Sequence, residues 1–326
     1  MICYNKLKIS FIKGITVILL IQIKGGVFVK VLNFGSLNID YVYSLDHIVK
    51  TGETESASAL ETFAGGKGLN QSVALAKAGA KTFHAGAIGE EGRFLAEELS
   101  AAGVNTDFVE IRKDIRTGHA IIQNSSDGDN CILLFGGANR SITHEQAEKV
   151  LEHFEKGDVL VLQNEISSLE HILSTGKEKG MKVVLNPSPI DDSLLGMDIG
   201  KADILILNEV EAGRILGKEV PEGEKAAAEL SEKFPETDIV LTMGEKGSFF
   251  KNSGKSAFQP AFRVKAVDTT AAGDTYTGYF VAGIMEGLPP EKAMELASQA
   301  SAIAVTKPGA SPSVPERAEV EAFGKD

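Results

Sequence analysis

The sequence lacks the features that mark several protein classes. It has only two cysteines, Cys3 and Cys131, in 326 residues. Two cysteines are too few for a disulfide framework, and their scarcity is typical of the reducing cytoplasm, where we expect this protein to work. The six histidines are scattered along the chain and never form an H-x-x-x-H pair, so we expect no zinc site.

Basic and phosphate-binding signatures are missing too. The formal net charge is −12 and no run of lysine or arginine interrupts it, which excludes nucleic acid as a partner because an acidic surface repels phosphodiester backbones. Neither G-x-x-x-x-G-K-[ST] nor G-x-G-x-x-G occurs, so P-loop and dinucleotide-binding folds lose their main support.

A membrane-spanning run is also missing. The most apolar stretch, within residues 11–23, is shorter than the roughly 20 residues that cross a bilayer, and no A-x-A cleavage site follows it. We therefore expect no membrane association. Residues 1–28 are interpreted as an extension produced by a reading frame started too early, with Val29 as an alternative start.

From residue 29 to residue 323 the pattern predicts one α/β unit. Short, nearly continuous apolar runs are typical of strands buried on both faces, and they alternate with amphipathic segments of helical period. We expect a mostly parallel sheet between helix layers, with ligands at the carboxyl ends of the strands. The predicted strands are 31–34, 83–88, 159–162, 183–185, 204–207 and 239–241, and the predicted helices are 70–80, 94–102, 143–154, 168–179, 225–234, 273–286 and 290–305.

Two segments, about 40–63 and 117–135, interrupt this alternation. The second contains the turn Ser-Ser-Asp-Gly-Asp-Asn at 125–130. Such segments predict short antiparallel strands and hairpins.

Residues 268–274, DTTAAGD, combine small residues with a carboxylate at the start of a helical segment. The first amides of a helix have no intrahelical partner and carry its positive dipole end, so Ala and Gly let a phosphate approach them. A carboxylate repels phosphate but suits a base that deprotonates an attacking hydroxyl. An ordinary N-cap is the alternative interpretation.

Two further polar loops lie upstream. Residues 64–71, AGGKGLNQ, again open a helical segment, and glycines there permit close approach of the backbone to a ligand. Residues 35–40, GSLNID, follow the first strand, and the alternation of Asn38 with Asp40 points both side chains the same way, as a sugar diol requires. A plain turn and an Asx turn are the respective alternatives.

Five motifs follow one another along the chain: GSLNID at 35–40, GGKGLNQ at 65–71, NEVE at 208–211, TMGEKG at 242–247 and DTTAAGD at 268–274. In this order they resemble the ribokinase family of sugar kinases, also called the phosphofructokinase-B family. The resemblance implies a three-layer fold with a small β lid over the sugar, and ATP-dependent phosphorylation of a primary sugar hydroxyl, D-ribose to ribose 5-phosphate. It also implies a homodimer formed through the lids.

The resemblance also implies a role for individual residues. Asp274 would be the general base beside an anion hole of backbone amides at Ala271, Ala272 and Gly273. Sugar contacts would come from Asn38, Asp40, Gly66, Lys67, Asn70, Glu165 and Asp274. ATP would lie over Asn208, Glu211, Thr242, Gly244, Gly247 and Gly273, with Asn208 and Glu211 organising hydrated Mg²⁺. A K⁺ site would involve Asp268, Thr270, Ala304, Lys307, Gly309 and Ser313.

Several positions depart from the family pattern. Tyr279 replaces a small residue, and residues 89–92 and 163–166 differ near the sugar side, so a nucleoside, another pentose or deoxyribose remains an alternative substrate. A catalytically silent sugar-binding regulator is the alternative from another class. The retained carboxylate at Asp274 argues against it, since binding alone gains nothing from a carboxylate facing phosphate.

Overall fold

Strands and helices alternate along most of the chain, as the sequence pattern predicts. The computed structural model describes residues 8–12, 15–19 and 29–324. The strands are β1 (Lys8–Ile12), β2 (Ile15–Leu19), β3 (Lys30–Phe34), β4 (Asn38–Leu45), β5 (Ala59–Gly65), β6 (Lys81–Gly89), β7 (Asn105–Arg112), β8 (Gly118–Ser125), β9 (Asn130–Phe135), β10 (Val159–Gln163), β11 (Lys182–Asn186), β12 (Ile204–Asn208), β13 (Asp238–Thr242), β14 (Ser248–Lys251) and β15 (Ser256–Gln259).

Helices cover both faces of the larger sheet. They are α1 (Lys67–Lys77), α2 (Arg93–Ala101), α3 (His144–Leu151), α4 (Leu169–Glu178), α5 (Asp192–Leu195), α6 (Glu209–Leu216), α7 (Gly223–Lys233), α8 (Ala272–Met285), α9 (Pro290–Ala304) and α10 (Arg317–Ala322). No helix in the described part of the chain has both the length and the apolar character needed to cross a bilayer.

The larger sheet has nine strands in the order β15-β14-β13-β12-β11-β10-β3-β6-β7. All strands from β13 to β7 run parallel, while β14 and β15 are antiparallel at one edge. Chain order reverses between β3 and β10. Such a switch point opens a crevice at the carboxyl ends of the strands, where ligands bind in open α/β sheets.

The core lies on the two faces of this sheet, because alternate residues of each strand point to opposite sides. Val31 and Val161 face α1, α2, α8 and α9, whereas Leu32 and Leu162 face α3, α4, α6 and α7. The predicted arrangement of a mostly parallel sheet between helix layers is confirmed.

The two interrupting segments supply the four strands of a second sheet, in the order β5-β4-β8-β9. Its outer pairs, β4–β5 and β8–β9, are antiparallel as predicted, whereas the central pair β4–β8 is parallel. We call this sheet the lid. The hairpin of β1 and β2 lies within the predicted extension and pairs antiparallel.

Candidate active site

Asp274 lies in the first turn of α8 and is buried, with 7% of its surface exposed. It lines a cavity of about 230 Å³ at the carboxyl ends of the parallel strands. Residues predicted for the anion hole and for the nucleotide line the same cavity. The further lining residues are Lys67, Asn186, Ser188, Ile206, Leu207, Asn208, Glu211, Thr242, Thr269, Ala271, Ala272, Gly273 and Thr277.

The start of α8 offers open backbone donors. The Ala272 amide is engaged, because it donates to the Thr269 carbonyl at 3.2 Å. The amides of Ala271, Gly273 and Asp274 have no hydrogen-bond partner within residues 29–324. Within the predicted anion hole at residues 271–274, the Ala272 amide is thus engaged by the protein itself and the other three are open. Their contact with phosphate stays a prediction.

Ala271 adopts a left-handed conformation, with φ of 59°. A non-glycine residue there is strained by about 1–3 kcal/mol, and such strain clusters at functional sites. An added Cβ at Gly273 would meet nothing within 4 Å. Packing does not explain this glycine, so the space above it is free for a ligand.

The Asp274 carboxylate is hydrogen-bonded to α1. Asn70 Nδ2 donates to its Oδ2 at 3.1 Å and Gln71 Nε2 donates to its Oδ1 at 2.9 Å. The base candidate and the Gly-Gly-Lys-Gly loop, which begins α1, are therefore parts of one site. Gln71 was not among the predicted site residues, although it lies within the GGKGLNQ motif.

The glycines of this loop serve the protein's own packing. A Cβ at Gly65 would lie 2.0 Å from an Asp40 carboxylate oxygen, and one at Gly68 would lie 2.3 Å from the Ser36 amide. Gly66 has a φ of 96° and caps α1, so the helix starts at Lys67, three residues earlier than predicted. The glycines allow residues 35–40 to lie directly against α1.

Asn38 and Asp40 lie at the start of the lid strand β4. The sequence pattern predicts both at the end of the first strand, but that strand ends at Phe34 and residues 35–37 connect it to the lid. Asn38 Oδ1 accepts from Asn139 Nδ2 at 2.8 Å. Asn139 also bonds both backbone groups of Leu37, yet its sequence surroundings gave no sign of this role.

Glu165 follows β10 and faces the same loop. Its Oε2 accepts from the Ser36 hydroxyl and from the Lys67 amide, the latter at 3.0 Å. Burial and the nearby Glu165 charge together raise the pKa of Asp40 to about 7. Asp40 and Glu165, two of the three acids predicted to contact the sugar, are therefore close enough to interact electrostatically.

Lys67 connects the two sides of the cleft. Burial lowers the pKa of Lys67, but three carboxylates, those of Asp274, Glu165 and Glu211, raise it by more, so the ammonium stays charged. Its ammonium makes no hydrogen bond or ion pair within residues 29–324. A free cation inside the cavity can neutralise an incoming anion.

Asn208 and Glu211 form a capping box at the start of α6. Asn208 Oδ1 accepts from the Glu211 amide at 2.9 Å, and Glu211 Oε2 accepts from the Asn208 amide at 2.8 Å. These hydrogen bonds stabilise the start of α6. Both side chains also line the cavity, so their predicted role toward Mg²⁺ stays a prediction.

The remaining nucleotide-side residues lie at the turn between β13 and β14. Thr242 ends β13 and lines the cavity. Gly244 and Gly247 have φ of 55° and 98°, and the turn closes when the Met243 amide donates to the Gly247 carbonyl at 2.8 Å. Neither glycine lines the cavity, so their contact with ATP stays a prediction.

The residues predicted to hold K⁺ come from two loops that Asp268 joins. Its Oδ1 accepts from the Thr270 amide at 2.8 Å and its Oδ2 from the Gly309 amide at 2.9 Å. Burial raises the pKa of Asp268, but these hydrogen bonds lower it by more, so the carboxylate is charged. Other members of the set make local contacts: the Ala304 carbonyl accepts from the Lys307 amide, the Lys307 ammonium pairs with Glu319, and the Ser313 hydroxyl donates to the Ala310 carbonyl.

Tyr279 does not enter the site. Its ring is fully buried, and its hydroxyl donates to the Pro315 carbonyl at 2.6 Å. The departure from the family pattern therefore ties α8 to the segment before α10, and Tyr279 does not line the cavity.

Known proteins match this chain over most of its length. The model of the pfkB family of carbohydrate kinases matches residues 29–317. A ribokinase of Haemophilus influenzae is 36% identical over 299 residues, which cover 89% of this chain and 96% of that protein. A deoxyribokinase of Salmonella typhi is 33% identical over 290 residues, covering 86% and 94%.

A solved structure shows that the similarity extends to the fold. The structure of Arabidopsis thaliana ribokinase complexed with ribose and ATP has a TM-score of 0.80 and 31% identity, covering 91% of this chain and 98% of that one. The range matched by the family model, residues 29–317, includes the main sheet, the lid and every residue that lines the cavity. This chain belongs to the pfkB family of carbohydrate kinases.

Proposed function

We propose that this kinase transfers the γ-phosphoryl group of ATP to the primary hydroxyl of D-ribose, giving ribose 5-phosphate and ADP. One observation carries the proposal: Asp274 lies on the cavity wall beside open α8 amides while Asn70 and Gln71 bind its carboxylate from the sugar-side helix. The ribokinase relatives support ribose and ATP as substrates.

In this reaction Asp274 accepts the hydroxyl proton as the sugar oxygen forms its bond to the γ-phosphorus and the bond to ADP breaks. The open amides of Gly273 and Asp274 stabilise charge on the phosphoryl oxygens. Lys67 adds a positive charge near the same place. Asn70 Oδ1 is buried without a partner within residues 29–324, so it has the capacity to accept a hydrogen bond from a sugar hydroxyl.

We assign Mg²⁺ to the Asn208 and Glu211 end of the cavity. The lining contains two carboxylates, Glu211 and Asp274, against one cation, Lys67, and oxygen ligands of this kind suit Mg²⁺. Bound Mg²⁺ would neutralise the phosphates of ATP. The cytoplasmic location stays a prediction from the cysteine content.

The substrate assignment is tested by measuring ATP consumption with D-ribose, 2-deoxyribose, hexoses and nucleosides. We expect the highest kcat/KM with D-ribose. Deoxyribose is the second candidate, since a deoxyribokinase is nearly as similar as the ribokinases. A nucleoside turned over fastest would overturn the assignment, and no turnover with any compound would favour the silent sugar-binding protein.

We further propose K⁺ activation through Asp268. The charged carboxylate joins residues 268–270 to residues 304–309 directly behind the start of α8, and a cation held there would stabilise the anion hole. Replacing Na⁺ by K⁺ should raise kcat severalfold at constant ionic strength. Asp268→Asn should abolish the difference between the two salts, and equal wild-type rates in both salts would contradict the proposal.

Binding of the sugar should depend on the ionisation of Asp40. Its pKa is about 7, and only the carboxylate accepts hydrogen bonds from both hydroxyls of a diol. Below pH 7, kcat/KM for the sugar should therefore rise about tenfold per pH unit and level off above it. Glu165→Gln removes one of the two causes of the raised pKa, so the rise should move to lower pH. A profile identical in wild type and Asp40→Asn would disprove this role.

We propose that two copies of the chain associate through the lid. Apolar side chains on both lid edges are exposed, including Leu60 (53%) on β5 and Leu133 (66%) on β9, and exposed apolar patches of this kind mark interfaces. Leu133→Glu should convert a dimer to a monomer in sedimentation velocity. The matched control is Leu195→Glu on α5, 41% exposed and outside the lid. A monomeric wild type would refute the proposal.

A further inference from the structure

Gln71 has no role so far, although it binds the reaction's base. It is fully buried, and its Nε2 is 2.9 Å from Asp274 Oδ1. Its neighbour Asn70 bonds the other carboxylate oxygen. Two consecutive residues of α1 therefore hold both oxygens of Asp274.

The side-chain oxygens of Asn70 and Gln71 differ in whether they have a hydrogen-bond partner. Asn70 Oδ1 has no partner within residues 29–324, whereas Gln71 Oε1 accepts from Gln163 Nε2 at 2.7 Å. A rotation of the Asn70 amide leaves other hydrogen bonds intact. The Gln71 amide cannot rotate without breaking the bond from Gln163, so its N–H group is held toward Asp274.

Gln163 is itself held by a hydrogen bond to a neighbouring strand of the main sheet. Gln163 Nε2 also donates to Asn33 Oδ1 at 2.9 Å, and Asn33 Nδ2 donates to Ser72 Oγ at 2.9 Å. All of these side chains are fully buried. Gln163 Oε1 is buried without a partner within residues 29–324, but both amide nitrogens have two acceptors each: Gln163 Nε2 bonds Asn33 and Gln71, and Gln71 Nε2 bonds Asn186 and Asp274. These paired donors limit the movement of the Gln71 side chain.

The same hydrogen-bond network extends from the cavity to the strand that precedes Glu165 on the sugar side. Gln71 Nε2 donates to Asn186 Oδ1 at 3.1 Å, and Asn186 lines the cavity at the end of β11. Gln163 ends β10, two residues before Glu165 on the sugar side. Gln71 therefore connects the base to the strands that carry the other polar groups of the site.

We propose that Gln71 is a positioning residue for Asp274. It touches neither substrate, and it fixes the carboxylate in the orientation that receives the sugar proton. The inference rests on the proposed role of Asp274 as the base. Proton transfer and in-line attack depend on alignment, and a misplacement of about 1 Å lowers a rate by about a hundredfold.

The test is Gln71→Met, which keeps the length of the side chain and removes the amide. With the sugar that the wild type uses best, kcat should fall about tenfold to a hundredfold, while KM for the sugar and for ATP should change less than about threefold. The matched control is Gln146→Met on α3, a buried amide remote from Asp274. It should lower the melting temperature without changing kcat.

A double variant separates positioning from general damage. Because Gln71 acts through Asp274, Gln71→Met should add little to the loss of kcat in an Asp274→Asn background, whereas independent effects would multiply. If Gln71→Met does not fold, Gln71→Glu keeps the oxygen that accepts from Gln163 and sets a second carboxylate against Asp274, and kcat should again fall.

Two results would overturn the inference: a near-normal kcat in both Gln71 variants, or a loss that multiplies with that of Asp274→Asn. The proposed function fails differently, because its failure appears in the wild type as absence of sugar-dependent ATP turnover.

Discussion

Asp274→Asn should reduce kcat by about 10²- to 10⁴-fold, the range that a positioned general base contributes. The KM for the sugar should change by less than about threefold, because the amide still bonds to neighbouring groups but no longer accepts the hydroxyl proton. Steady-state kinetics with the best sugar of the panel measures both quantities.

Asp274→Asn should leave the fold intact, because a lost hydrogen bond to the carboxylate can be replaced by another. The side-chain amide of the Asp274→Asn variant would set one N–H group against either Asn70 or Gln71, both of which donate to Asp274 in the wild type. Asn70 can rotate and present Oδ1, which is buried without a partner within residues 29–324. One exchanged hydrogen bond thus replaces another, and the melting temperature should change by only a few degrees.

Asp158→Asn is the control for loss of a buried carboxylate. Asp158 is 5% exposed and accepts from the Lys30 and Glu155 amides at the opposite end of the strands. This variant should lose stability and keep its kcat. An Asp274→Asn enzyme with kcat within about tenfold of the wild type would remove Asp274 as the base.

The sequence was sufficient for the interior of the fold but insufficient at its edges. Strands such as β10 and β12 are buried along their length, and their continuous apolar residues identify them. In β7, by contrast, no residue is fully buried and polar residues are frequent. The antiparallel pair β14 and β15 is likewise short and partly exposed, so neither β7 nor this pair was predicted.

The candidate site, too, is only partly predictable from the sequence. Small residues before a carboxylate identify the start of α8 from sequence because the chemistry is local to one segment. The hydrogen bonds that orient Asp274 are not local, since Gln71 lies 203 positions away in the chain. Likewise Asn139, which fixes Leu37 and Asn38, lies in a short 3₁₀ helix, residues 137–141, for which the sequence gave no motif. Contacts between distant segments depend on the topology, which the spacing of residues along the chain does not specify.

Substitutions at Gly273 should separate an effect on activity from an effect on stability. The space around its missing Cβ is open, so Gly273→Ala should not disturb packing and should stabilise the helix by up to about 1 kcal/mol. The same methyl group stands where phosphoryl oxygens must approach the Gly273 and Asp274 amides. Gly273→Val fills more of that space, and its kcat should fall by about 10²- to 10³-fold, as when a donor to a developing oxyanion is lost.

The two measurements should move in opposite directions for Gly273→Ala, with a higher melting temperature and a lower kcat. Gly254→Val is the control, because Gly254 is exposed, lies in the turn between β14 and β15, and has only one neighbour, at 4.0 Å. That variant should keep its kcat. If Gly273→Val were as active as the wild type, phosphate would not approach the first turn of α8, and the anion hole would have to lie elsewhere on the cavity wall.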